Sequence, residues 1–233
     1  MLLAPYYNET EDLLQVSRQQ GSDFAKRLAN DFNPLHDFDA KRFVVPGDLL
    51  FSIALQKLGI SEKMRFEFVG MVSGETEFSI VPQDDGQLEI ISKEKSCTKI
   101  QRSGDVLLNE KLIEKISLEY VKFSGKTFPG ILLPLMQLKN VMINPARPMV
   151  MYQSMVIELN EFSFSEPTIE LAKQEINVEG KRGDVSIHFN IIAEGKIVGC
   201  GEKHFLLSGL RAYEEDAMNS LVENYEATKV AYI

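Results

Sequence analysis

The pentapeptide Pro129-Gly130-Ile131-Leu132-Leu133 echoes Pro46-Gly47-Asp48-Leu49-Leu50, 83 positions earlier (129 − 46). Proline and glycine favour a helix start here, and each leucine pair begins an apolar run, so the fold must house two similar buried helices. The surroundings of the first start are legible in detail. Ser17 and Gln20 have capping-box spacing, and Phe24 and Leu28 follow at i, i+4, which predicts a helix over 18–29. Asn33-Pro34 forces a turn. Residues 49–58 are apolar on nearly every side, which predicts a buried helix ended by Gly59.

Strands follow that helix. Phe66 and Phe68 alternate with polar neighbours, as do Thr76, Phe78 and Ile80. Further strands are predicted at 87–91, 97–101 and 115–123, with a hairpin turn at Asp85-Gly86. After Pro129 the order recurs: an apolar helix to about Lys139, then strands at 149–159, 168–178, 185–193 and 196–207. The two halves close on Phe123-Ser124-Gly125 and Leu207-Ser208-Gly209. This reads as an internal duplication. Each unit is one helix wrapped by an antiparallel sheet with a single covered face. The N-terminal unit is placed at 1–125 and the C-terminal unit at 126–233, the latter ending in an acidic surface helix from about Leu210.

Charge excludes some functions. With net charge −9 and pI about 5.0, the surface lacks the basic balance that non-specific nucleic-acid binding needs. No stretch reaches the roughly 18 apolar residues of a membrane span, and the N-terminus lacks a basic, then apolar, leader pattern. Cys97 and Cys200 are far apart and read as two reduced thiols. The expected location is the cytoplasm.

The chemistry is concentrated in Asp31-Phe32-Asn33-Pro34-Leu35-His36. An acid, an amide, a rigid turn residue and an imidazole stand within one hexapeptide. Asp31 and His36 can hold one water between them and shuttle its protons. Gly47, at the start of a buried helix, offers unpaired backbone N–H groups and room for a carbonyl to approach.

The hexapeptide resembles the hydratase-2 motif of the MaoC-like hot-dog enzymes, the R-specific enoyl-CoA hydratases. The chain is also similar to a bacterial family of about this length that carries no assigned activity. The resemblance implies an α+β fold, the double hot dog. It implies Asp31 and His36 as the catalytic pair, and Asn33 and Gly47 as substrate-binding residues. The substrate would be a 2-enoyl thioester of CoA or acyl carrier protein, hydrated without metal or cofactor, by a monomer or homodimer. The sequence departs from the family pattern at Ala29-Asn30, where Ser-Gly is usual. It departs again at Val45-Pro46-Gly47-Asp48, where a His-Gly-Met type of sequence is usual. The C-terminal half has no counterpart of the hexapeptide. Two other readings stay open: a hot-dog thioesterase, and a non-catalytic acyl-binding protein.

Overall fold

The computed structural model describes residues 2–84 and 86–232. A short hairpin opens it, β1 (Asn8–Thr10) and β2 (Leu13–Gln15). Helix α1 (Arg18–Asp23) starts on the expected capping box. The Gln20 N–H donates to Ser17 Oγ at 3.0 Å, and the Ser17 N–H donates to Gln20 Oε1 at 2.9 Å. The helix widens into a π turn over Phe24–Ala29 and stops at Asn30, whose φ is 56°. Asparagine tolerates this left-handed conformation better than most residues, so it ends the helix here.

A 3-10 turn (Pro34–His36) leads to α2 (Gly47–Leu58), β3 (Ile60–Phe68), β4 (Glu77–Pro82), β5 (Leu88–Ser92) and β6 (Lys95–Leu107). Of the expected hairpin turn at Asp85-Gly86, Asp85 lies outside the described residues. The second half contains α3 (Glu110–Ser124), a π turn (Thr127–Ile131), α4 (Leu132–Leu138) and β7 (Val141–Met142). It continues with β8 (Val150–Leu159), β9 (Thr168–Glu179), β10 (Arg182–Ala193), β11 (Lys196–Ser208), β12 (Arg211–Ala212) and α5 (Glu215–Tyr232).

Ten strands form one antiparallel sheet in the order β1-β2-β4-β5-β6-β3-β8-β11-β10-β9. Outward from the β3–β8 seam, the strands run β3-β6-β5-β4 on one side and β8-β11-β10-β9 on the other. The two halves therefore share one strand order. At the seam Met64 pairs with Ile157 and Phe66 with Met155, and all four side chains are fully buried. One hydrophobic core consequently crosses both halves. Strand β10 illustrates why: Val185, Ile187, Phe189, Ile191 and Ala193 alternate inward, while Asp184, Ser186, His188 and Asn190 point the other way.

Two expectations need correction. Residues 115–123 are helix α3, not a strand. Asn109 Oδ1 caps α3 by accepting the Leu112 N–H at 3.2 Å, and Leu112, Ile113, Ile116, Tyr120 and Val121 recur at helical spacing. The apolar helix expected from Pro129 exists as α4, but α3 takes the core position beside α2. The Tyr120 ring lies 4.7 Å from Phe51 of α2, and Phe123 lies 5.3 Å from Phe189 of β10. Each half of the sheet thus covers a packed helix, α2 and α3, and the fold is a double hot dog. The expected boundary at 125/126 falls after the second of these helices. We propose that the second unit begins ahead of Glu110.

Gly125 joins α3 to the N-terminal half. Its φ of −62° suits any residue, so only space matters there. A Cβ at this position would overlap the Ala29 carbonyl oxygen. Gly125→Ala is expected to destabilise the protein by roughly 1–3 kcal/mol, because a backbone atom cannot step aside as a side-chain tip can. Urea denaturation checks this; an unchanged midpoint contradicts the packing. Among the described residues no helix is long and apolar enough to cross a membrane.

Candidate functional site

The π turn and the 3-10 turn together fix the hexapeptide. The Asp31 N–H donates to the Ala25 carbonyl at 2.8 Å, which ties the motif to the helix end. Asp31 Oδ1 accepts the Asn33 N–H at 3.0 Å, and Asn33 Oδ1 accepts the Leu35 N–H at 3.1 Å. Two successive side-chain-to-backbone turns hold the loop, the pattern that Asp and Asn before proline favour. The Val44 N–H closes the loop on the Leu35 carbonyl at 3.1 Å. Below it, Lys26 pairs with Asp37 at 2.6 Å, with the Lys26 side chain almost fully buried.

His36 Nδ1 lies 2.8 Å from the Val44 carbonyl oxygen. A carbonyl can only accept, so Nδ1 carries the proton and neutral His36 keeps its lone pair on Nε2. Burial pushes the Asp31 carboxyl above the ordinary carboxylate range. The His36 imidazole and the Asn33 N–H pull it back, Asp48 pushes it up again, and Lys203 pulls it down. Asp31 and His36 are thus electrostatic neighbours in one short loop. The other two expected site residues behave differently. Asn33 spends its side-chain oxygen on the turn. Gly47 is the first residue of α2, and the space beside it is filled by aromatic rings. A Cβ there would meet Tyr152 at 3.1 Å and Phe68 at 3.3 Å.

Two neighbours of the motif were not foreseen. Tyr225 of α5 bridges the motif: its hydroxyl accepts the Phe32 N–H at 3.1 Å and donates to Asp31 Oδ1 at 3.5 Å. Its ring packs edge-on against Phe32 and Phe128. Burial and the Asp31 charge push the Tyr225 hydroxyl well above its usual pKa.

The second neighbour is a polar network at the start of α2. Asp48 Oδ1 accepts the Tyr120 hydroxyl at 2.6 Å, and Asp48 Oδ2 accepts the Ser124 hydroxyl. Lys203 of β11, 1% exposed, donates to Ser124 Oγ and lies 3.6 Å from Asp48 Oδ1. The Tyr120 and Tyr152 hydroxyls are 2.5 Å apart. The Lys203 ammonium also sits over the rings of Tyr152, Phe205 and Tyr120, at 4.7, 5.2 and 5.3 Å. Burial pushes Lys203 below its ordinary pKa, while Asp48 and Asp31 resist the shift. Burial, with the Asp48 charge, pushes both tyrosines far up. The unusual first turn Gly47-Asp48 is therefore matched by a buried cation and two hydroxyls from the second half. A sequence signal existed: Lys203 shares the inward phase of β11 with Gly201, Phe205 and Leu207.

Residues 1–216 match the family model described as Protein of unknown function (DUF3581). The chain belongs to this family. The match takes in the hexapeptide, both core helices and the whole sheet, and leaves out most of α5. No curated protein matches the chain. Several solved structures are similar over most of its length. An acyl-CoA thioesterase II from Mycobacterium marinum is 11% identical over 92% of this chain and 99% of its own, with a TM-score of 0.44. A MaoC-like dehydratase is 10% identical over 88% and 99%, with a TM-score of 0.44. A hot-dog protein from Alicyclobacillus acidocaldarius is 8% identical over 89% and 98%, with a TM-score of 0.49. Likeness at this level decides nothing about chemistry, and the fold of this DUF3581 chain rests on its own strand order and packed helices.

Proposed function

We propose that this protein is an acyl-thioester hydratase, or the reverse dehydratase, with Asp31 and His36 activating the water. The observation that carries this reading is the fixed tautomer of His36. The Nδ1–H is committed to the Val44 carbonyl, so the neutral ring presents its lone pair on Nε2, five residues from a carboxylate in the same locked loop. In hydration, Nε2 takes a proton from water, the water oxygen bonds to C3, the C2=C3 electron pair moves toward the thioester oxygen, and C2 then takes the proton back from the imidazolium, which returns His36 to its neutral form. Asp31 orients the water and favours the imidazolium that forms. Leu49 and Leu50 give their N–H groups to the Pro46 carbonyl, so the N–H groups of Gly47 and Asp48, the first two of α2, are the ones that offer the positive dipole end to the thioester oxygen. Asp48 does not cancel that dipole, because Lys203, Tyr120 and Ser124 already engage its carboxylate.

The acyl carrier is CoA or acyl carrier protein, and the chain carries one such site, since only the first half holds the pair. A panel of 2-enoyl-CoA thioesters tests the reading. Hydration removes the enoyl absorbance and frees no thiol. Thiol release instead identifies a thioesterase, for which the Asp48 carboxylate at a helix start is the natural candidate. Binding with neither change identifies a non-catalytic acyl-binding protein.

A further inference from the structure

The Tyr225 hydroxyl meets the Asp31 carboxylate from the far end of the chain. Asp31 Oδ1 takes both hydrogen bonds that the carboxylate receives among the described residues, from the Asn33 N–H at 3.0 Å and from the Tyr225 hydroxyl at 3.5 Å. Oδ2 is therefore the oxygen left to hold a water. Asp31 and His36 keep partial exposure, whereas Tyr225 is 8% exposed. A phenol has one proton and can accept as well as donate. The Phe32 N–H occupies the acceptor side at 3.1 Å, which turns the hydroxyl proton toward Asp31. The ring is wedged edge-on between Phe32 at 6.0 Å and Phe128 at 5.3 Å, so the hydroxyl has little freedom to swing away. Tyr232 lies two helical turns along the same face of α5. Its hydroxyl donates to Asp23 Oδ1 at 2.7 Å, and its ring packs 5.8 Å from Phe32. Helix α5 thus grips both the hexapeptide and the helix that precedes it.

We propose that Tyr225 is a positioning residue of this site, holding the Asp31 carboxylate by Oδ1 and leaving Oδ2 for the water shared with His36. This rests on the hydratase–dehydratase reading above. Tyr225 touches no reacting atom; it acts through Asp31. Its hydroxyl does two things there. It limits rotation of a carboxylate that the Asn33 N–H alone would hold by one bond, and so keeps the water in line. It also favours the ionised carboxylate, the form that supports the imidazolium. The other groups around Asp31 divide: His36, the Asn33 N–H and Lys203 favour the ionised form, and Asp48 opposes it. Glu226 adds negative charge beside Tyr225. Burial and these charges raise the Tyr225 hydroxyl above its usual pKa, so it stays a donor wherever Asp31 and His36 titrate.

Carbon NMR of the wild-type protein gives the first readout, without substrate or variant. The Tyr225 Cζ resonance is expected to move with the Asp31 carboxyl at one shared midpoint as pH is varied. In Tyr225→Phe, which keeps the ring contacts, that Asp31 midpoint should rise. Hydration of a 2-enoyl-CoA gives the second readout. Tyr225→Phe should lower kcat about 10-fold, the low end of what one hydrogen bond to a charged group is worth, with KM within about 2-fold of wild type. In an Asp31→Asn background the same substitution should cost less than about 2-fold, because the residue it acts through is already gone. A tyrosine that merely propped the fold would lower both backgrounds equally. A Tyr225 resonance indifferent to the Asp31 titration overturns the proposal, as does wild-type kcat in Tyr225→Phe or an equal loss in the two backgrounds. If the wild-type protein hydrates nothing while the two resonances still move together, the functional reading fails and the positioning role fails with it. A working wild-type enzyme with an indifferent Tyr225→Phe sinks the positioning role alone.

Discussion

Asp31→Asn is expected to lower hydration by about 100-fold or more and to raise the melting temperature at neutral pH. His36→Ala should match the kinetic loss without the same gain in stability. The opposite movement of rate and stability in Asp31→Asn follows from the burial of the carboxylate. In the folded protein burial holds the Asp31 carboxyl above its ordinary 3.8, and the pull of His36, the Asn33 N–H and Lys203 does not fully reverse it. The folded state therefore binds the Asp31 proton more tightly than the unfolded chain does. Its contribution to stability is fully present below about 3.8 and is lost as pH rises through the folded value. An amide carries no charge to desolvate, and its oxygen can still accept the Asn33 N–H. The variant's advantage should therefore be clear at pH 7 and shrink toward pH 3. Thermal melts across this range, beside the enoyl-CoA assay, measure both arms. A variant that is less stable than wild type at pH 7 would mean that the ionised carboxylate is a structural anchor rather than a strained functional group.

Much of this architecture was legible because local signals agreed with tertiary packing. The Ser17–Gln20 box, the apolar body of α2 ended by Gly59, and the alternation in β10 each state their structure within a few residues. The second core helix was not read correctly because Ile113, Ile116, Tyr120, Val121 and Phe123 are also good strand residues. The period of three and four in that run, and Asn109 ahead of it, carried the correct answer. The Pro129-Gly130 echo did mark a helix, α4, but an echo of sequence does not determine which helix packs against α2. The site divides in the same way. Asp31 and His36 are close in sequence, so a local motif reveals them. Tyr225, Tyr120, Tyr152 and Lys203 come from α5, α3, β8 and β11, and only the assembled fold brings them to the hexapeptide and to Asp48.

Lys203 and Asp48 make the largest stability effect to expect from a single substitution. Both charges lie in or at the core, but unequally: the Lys203 side chain is 2% exposed and that of Asp48 is 17%. Removing Asp48 strands a cation with almost no access to water, leaving the rings of Tyr120, Tyr152 and Phe205, the Ser124 hydroxyl and the weaker pull of Asp31 around it. Cation–π contact at ~0.5–2 kcal/mol does not replace a counter-charge. Asp48→Leu is therefore expected to cost about 3–5 kcal/mol, the range for breaking a buried ion pair. Lys203→Met should cost less, because the carboxylate left behind is nearer to solvent and keeps its bonds from Tyr120 and Ser124. With both changes together no buried charge remains unpaired, and stability should return to within roughly 1–2 kcal/mol of wild type, since apolar replacements of buried pairs are often neutral. Urea denaturation of the four proteins closes this double-mutant cycle. A double variant as unstable as the sum of the singles would show that the two residues are not energetically paired.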